Sequence, residues 1–330
     1  MTCRVLIVER TGQLSRRLRG LYSGGVVEAA PPADPAIMLE QVQRHAPDVV
    51  VVDLEDAPLE AVAAIESVMA EQPVPMVVVT PGGSQKQHAI RALAAGALEI
   101  ATIDGPEPWK ALQRQVLFLS KVKVVKHVRG RKRKAKEPER RVTGGQVVAL
   151  AASLGGPKAL ARLIGALPRD FKAPTVLCQH ITPGFADDLA RYLAVETRHD
   201  VVEAEAGMEL KAGRFYVAPS EVHLLVQADG SLTLDTGPAV GGFRPSCDVL
   251  LKSAAHAFGD RAIGVVLTGM GRDGAKGLKE IRNRGGHTIA QDQASCVVFG
   301  MPGESIALGA AEKVLPLDQI AGQLVKWVMP

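Results

Sequence analysis

The sequence predicts an α/β protein: two doubly wound parallel-sheet domains, the second carrying an inserted β-hairpin. Three observations predict it. Short runs of Val, Ile and Leu alternate with stretches of helical periodicity along both halves of the 330 residues. Those runs are continuous rather than alternating with polar residues, the pattern of parallel strands buried on both faces. Aromatic residues make up only 4% of the chain against 47% hydrophobic, so small aliphatic side chains must build the core.

In the first half, VLIV (Val5 to Val8), DVVVVD (Asp48 to Asp53), MVVVT (Met76 to Thr80) and LEIAT (Leu98 to Thr102) read as strands. Helical periodicity falls between them at Ala61 to Ala70 and Gln87 to Ala95, and another helix starts near Trp109. Functional groups in such sheets gather at the carboxyl ends of strands, where Glu9, Asp53 and Thr80 stand. The rhythm resumes at Gln146 with VVALAA, then TVLCQH (Thr175 to His180), RFYVAP and AIGVVLTGM. HLLVQADGSLTL places two extended segments around Asp229-Gly230, which predicts a hairpin. No internal repeat is visible. The implied organisation is a front domain over 1–122, a linker over 123–145 and a second domain over 146–330.

The linker explains the charge. Lys121 to Arg141 holds eleven Lys or Arg and two Glu, a local +9; with a net charge of +4, the rest of the chain carries −5. A solvated basic joint accounts for this better than a nucleic-acid-binding face, and no DNA-reading motif accompanies it. No apolar run is long enough to span a bilayer, and MTCRVLIVER lacks signal-peptide architecture, so the expected protein is cytoplasmic and not membrane-embedded. Cys3, Cys178, Cys247 and Cys296 form no CxxC pair; they are expected to be small buried residues, neither disulfides nor zinc ligands.

Three residues at strand ends in the second half carry candidate chemistry. Ser153 follows VVALAA and precedes Leu154-Gly155-Gly156-Pro157, a turn that exposes a hydroxyl near a helix N-terminus. The setting suits a nucleophile, a phosphate loop or a plain strand-to-helix turn, and it does not match the GxSxG elbow. His180, before a Pro-Gly turn, suits a general base or a hydrogen-bonded turn residue. Asp273, in LTGMGRDGAKG, suits a carboxylate that orients an imidazole, or a helix cap. Because each ends a predicted parallel strand, all three can reach one edge of the sheet.

AASLGGP, QHITPGF, RPSCDVLLKSAA, LTGMGRDGAKG and ASCVVFGMP together, in this order, closely resemble the catalytic domain of the CheB family, the protein-glutamate methylesterases of bacterial chemosensory systems. The resemblance runs from about Gln146 to Leu324. It implies Ser153 as nucleophile, His180 as general base and acid, Asp273 as orienting carboxylate and the Met270 N–H as an oxyanion donor. It further implies hydrolysis of glutamate methyl esters, glutamine deamidation at the same site, and neither cofactor nor metal. The implied partners are methyl-accepting chemoreceptors and their array, with room for a signalling kinase. Arg244, in a loop similar to family segments bordering the site, suits either an acidic receptor surface or a surface salt bridge. APSEVHLL departs from the family's APGDxH at Ser220 and Glu221.

The front domain resembles a phosphoacceptor receiver in which Asp53 accepts the phosphoryl group and Thr80 senses it. Glu9-Arg10 stands where a receiver has an acidic pair for Mg²⁺, and Ile103-Asp104 where it has Lys-Pro. Asp53 is therefore expected to be a degenerate phosphoacceptor. Two rival classes stay in view. A non-enzymatic response-regulator output would use the basic linker to hold a partner. A dinucleotide-binding protein would use ASLGG as its phosphate loop, but the full GxGxxG spacing is missing.

Overall fold

The structure is a computed structural model, and it describes residues 3–18, 26–29, 35–55, 57–81, 86–103, 107–122, 124 and 145–329. The chain divides into two compact units, Met1–Arg129 and Gly130–Pro330. Of the expected linker, only Val124 and Gly145 are among the described residues, and Asp104 lies outside them.

The first unit runs β1 (Val5–Val8), α1 (Gln13–Leu18), β2 (Val26–Ala29), α2 (Pro35–His45), β3 (Val49–Asp53), α3 (Pro58–Glu71), β4 (Met76–Thr80), α4 (Lys86–Ala95), β5 (Glu99–Thr102) and α5 (Pro108–Leu119). Its five strands are parallel, in the order β2-β1-β3-β4-β5. Every residue of β1 and β4 is buried, as their unbroken apolar runs require. Proline opens α3 and α5, where a missing N–H costs nothing. The strand order reverses direction between β1 and β3, so Glu9 and Asp53 flank the crevice where such sheets hold ligands.

Glu9, however, is committed elsewhere. It is buried, and its two carboxylate oxygens accept from the N–H groups of Leu14 (2.8 Å) and Ser15 (2.7 Å) and from the Ser15 hydroxyl. The carboxylate thus caps the first turn of α1, and an oxygen spent on backbone amides is a poor ligand for a dication. Arg10, the next residue, is exposed to solvent. Asp53 Oδ1 accepts from the Glu55 N–H at 2.9 Å, and Thr80 is fully buried at the end of β4.

The second unit runs β6 (Val147–Ala152), α6 (Gly156–Ala166), β7 (Thr175–Gln179), α7 (Ala186–Thr197), β8 (Asp200–Glu203), β9 (Arg214–Val217), β10 (His223–Val226), β11 (Leu232–Asp235), α8 (Cys247–Phe258), β12 (Ala262–Val266), α9 (Ala275–Asn283), β13 (His287–Gln291), α10 (Met301–Ala307), β14 (Lys313–Leu315) and α11 (Leu317–Val328). Seven parallel strands lie in the order β14-β13-β12-β6-β7-β9-β8. β10 and β11 form a separate antiparallel hairpin closed by Asp229-Gly230. There Gly230 has φ +82° and Asp229 Oδ1 accepts from the Ser231 N–H at 2.8 Å. β2, β8, β13 and β14 are short or partly polar strands that carry little apolar signal of their own.

Chain direction across this larger sheet switches between β6 and β12. From β6 the chain builds outward through β7, β9 and β8, then returns to the other side of β6 with β12 and continues through β13 to β14. The crevice at such a switch point is where α/β sheets bind ligands. Behind it, α8 and α9 pack closely: a Cβ on Gly277 would lie 2.6 Å from Leu251 Cβ and 3.0 Å from the Asp248 carbonyl oxygen. A glycine there is the condition of the approach.

Candidate active site

Ser153, His180 and Asp273 follow the carboxyl ends of β6, β7 and β12, the three strands at and beside the switch point. Backbone bonds fix the first two. The Ser153 N–H donates to the Thr268 carbonyl (3.0 Å), and the His180 N–H donates to the Ala152 carbonyl (3.0 Å). Gln179 ties the two strand ends together, its Nε2 donating to the carbonyls of Ser153 (2.8 Å) and His180 (2.7 Å). Gly155, at φ +76°, makes the sharp turn into α6 that the Gly-Gly-Pro sequence anticipates.

The structure brings His180 and Asp273 into direct contact: Nε2 lies 2.8 Å from Oδ2. The other ring nitrogen, Nδ1, is buried with no hydrogen-bond partner. Ser153 is mostly buried, and its hydroxyl makes no hydrogen bond among the described residues. Hence the imidazole–carboxylate pair is formed, the hydroxyl–imidazole bond is not, and the nitrogen left without a partner is Nδ1. Phe243 stacks flat on the imidazole, with ring centroids 3.9 Å apart and 1° between planes, which fixes the ring's plane.

Asp273 is held by the start of α8. Its carboxylate accepts from the Ser246 hydroxyl (2.8 Å) and from the N–H groups of Cys247 (2.7 Å) and Asp248 (2.9 Å). Asp248 returns the arrangement, accepting from the N–H groups of Gly274 (3.0 Å) and Gly277 (2.8 Å) at the start of α9. Two neighbouring helices therefore exchange carboxylate caps, each satisfying amides the other cannot. His223 completes the support: its Nδ1 accepts from the Ser246 N–H (3.1 Å) while Nε2 lies 3.1 Å from the Pro238 carbonyl.

Charge follows from these contacts. Burial works against the Asp273 carboxylate, but the bonds from His180, the α8 amides and Ser246 outweigh it and hold its pKa below the ordinary value. Burial also works against the imidazolium of His180. The Cys247 sulfur and the Asp273 carboxylate oppose that effect, and the balance raises the ring's pKa. Since burial keeps Cys247 a thiol well past neutrality, Asp273 is the anion that acts on the ring at neutral pH. Asp248, dominated by burial and adjacent to Asp273, is raised.

Gly269 passes tightly behind Ser153; a Cβ there would lie 2.8 Å from Ser153 Cβ. Just beyond it, the N–H of Met270 has no acceptor among the described residues, and neither has that of Leu154. Arg244 is exposed and donates to the carbonyls of Thr236 (3.2 Å) and Gly237 (3.1 Å). It forms no ion pair among the described residues. Ser220 and Glu221 adapt locally: the Ser220 hydroxyl accepts from the Gly184 N–H (3.1 Å), and Glu221 takes φ +62°.

The supporting residues were hidden to different degrees in the sequence. Ser246 before an apolar periodic run is a readable N-cap, and its hydroxyl does accept from the Val249 N–H. Gln179, Phe243 and the caps exchanged between Asp273 and Asp248 give no local signal. All four cysteines are buried, as expected. Unforeseen is that Cys178, His180 and Cys247 cluster, with two sulfurs and a ring nitrogen all within 4.8 Å of one another.

A family model described as CheB methylesterase matches residues 148–324. Protein-glutamate methylesterase FrzG of Myxococcus xanthus is 50% identical over 338 residues, covering 99% of this chain and 99% of FrzG. Protein-glutamate methylesterase/protein-glutamine glutaminase 2 of Anaeromyxobacter dehalogenans is 42% identical over 300 residues, covering 89% of this chain and 87% of that one. Among solved structures, the Thermotoga maritima CheB methylesterase catalytic domain aligns with a TM-score of 0.55 and 41% identity, covering 56% of this chain and 100% of that domain. With a family model spanning more than half its length and a relative half identical from end to end, the chain belongs to the CheB methylesterase family.

Proposed function

We propose that this chain hydrolyses glutamate 5-methyl esters on methyl-accepting chemoreceptors, in the cytoplasm, by acyl transfer through Ser153. The observation that carries the reading is the meeting of three strand ends at the switch point, with His180 and Asp273 in contact 2.8 Å apart. The neutral ring donates Nε2–H to Asp273, which leaves the Nδ1 lone pair to take the Ser153 proton. Catalytic hydrogen bonds often tighten only when substrate is bound, so the absent hydroxyl–imidazole bond is compatible with this role.

Ser153 Oγ attacks the side-chain ester carbonyl as His180 takes its proton. The tetrahedral oxyanion then meets the N–H groups of Met270 and Leu154, each worth about 3–4 kcal/mol to the transition state in comparable sites. Collapse expels methoxide, which leaves as methanol with the proton from His180. Water, deprotonated by the same ring, next cleaves the acyl-enzyme and restores Ser153. Glutamine deamidation follows the same course with ammonia leaving. The names of the relatives, which pair methylesterase with glutaminase, support both reactions. Arg244, exposed beside the stacking residue Phe243, is the proposed contact for acidic receptor surface.

The direct test is methanol release from methylated receptor by the purified full chain. Ser153→Ala, with its fold verified by circular dichroism, should lower the rate by roughly 10⁴-fold or more. Undiminished release by that variant would refute the assignment.

A further inference from the structure

The acyl-transfer scheme leaves two buried thiols unused. Cys178 occupies the fourth position of β7, and Cys247 opens α8; the two side chains are 1% and 0% exposed. The Cys247 Sγ lies 3.5 Å from His180 Nε2 and 3.6 Å from the Cys178 carbonyl oxygen. Zinc bonded to sulfur at about 2.3 Å and to imidazole nitrogen at about 2.05 Å, in a tetrahedron, sets those ligand atoms about 3.6 Å apart. The spacing between the Cys247 sulfur and the ring nitrogen already meets that requirement, and the second sulfur lies within 4.8 Å of both.

We infer that Cys178, Cys247 and His180 form an inhibitory binding site for a thiophilic divalent cation such as Zn²⁺. Binding replaces the two thiol protons, which pass to solvent, and takes the neutral ring through Nε2 at the expense of its bond to Asp273. Solvent fills the fourth position. A two-sulfur, one-imidazole set selects borderline and soft cations over Mg²⁺ and Ca²⁺, which prefer oxygen. A ring held on the cation loses both its orienting carboxylate and its freedom to carry the Ser153 proton, so hydrolysis stops until the metal is withdrawn. The inhibitory consequence rests on the esterase reading; cation binding does not.

The experiment uses the reduced, metal-stripped full chain. Titration with Cd²⁺ should raise a thiolate-to-metal charge-transfer band that saturates at one equivalent per chain. Zn²⁺ should displace the band, and Mg²⁺ should have no effect. Cys178→Ala should abolish the band; Cys247→Ser is the second variant should the first fail to fold. In parallel, Zn²⁺ should suppress methanol release by the wild type, reversibly with a chelator, while Cys178→Ala should keep its release and resist the ion. No stoichiometric band, or a band that survives both variants, would overturn the site. Equal Zn²⁺ inhibition of wild type and Cys178→Ala would overturn its inhibitory role. A band lost in the variants supports the site even if methanol release is absent, a result that would count against the esterase reading alone.

Discussion

At the scale of single residues, the account turns on the protonation of His180. The ring's pKa is raised from its ordinary value of 6.5, and a general base must be neutral. Protonated, inactive ring therefore persists above that value, and kcat/KM for methanol release should climb with pH through the raised pKa. Asp273→Asn removes the anion that acts on the ring, so its acid limb should move to lower pH while its maximal rate falls. A wild-type limb at or below pH 6.5, or one that Asp273→Asn leaves in place, would contradict the pairing. At this scale the sequence singles out Ser153, His180 and Asp273 because each follows an apolar run, and the structure joins His180 to Asp273. Phe243 was not legible, because it comes from an aperiodic loop and its partner lies 63 positions away in the numbering. Cys178 and Cys247, 69 positions apart, were read as core residues for the same reason.

Among elements, the exchanged caps at the starts of α8 and α9 set the position of Asp273. Asp248→Ala strands the N–H groups of Gly274 and Gly277 in a buried region, a loss of about 1–3 kcal/mol. It also removes a like charge near Asp273, which offsets part of that cost. Asp248→Asn, which keeps an acceptor oxygen and sheds the charge, should therefore lose less stability than Asp248→Ala. Urea midpoints decide it, and an unchanged midpoint for Asp248→Ala would remove the caps from the account. The glycines of LTGMGRDGAKG pointed to unusual backbone before the helix, and Gly274 does take φ +95°. That Asp273 caps α8, and not the α9 helix that follows it, is a tertiary fact with no local trace. Strands β13 and β14 escaped notice likewise: β14 has three residues, and β13 mixes His, Thr and Gln with two aliphatic residues.

For the whole molecule, alternation of strand and helix made the fold class legible, since continuous Val-rich runs between helical stretches suit a parallel sheet covered on both faces. Strand order was not, because it depends on which edge each crossover joins. It is the return of β12 to the far side of β6 that puts Asp273 near His180. In the front unit, Glu9 spends its carboxylate on α1, so a small phosphodonor with Mg²⁺ should leave Asp53 unlabelled by intact mass. Stoichiometric label on Asp53 would contradict that.

The measurement that bears most directly on the central claim is methanol release by Ser153→Ala, His180→Gln and the double variant, all as full chains. Residues that act as one unit lose their effect together. The account predicts that the double variant is no slower than Ser153→Ala alone. Single-variant losses that multiply in the double variant would show that hydroxyl and imidazole act independently, and the proposed acyl transfer would fall.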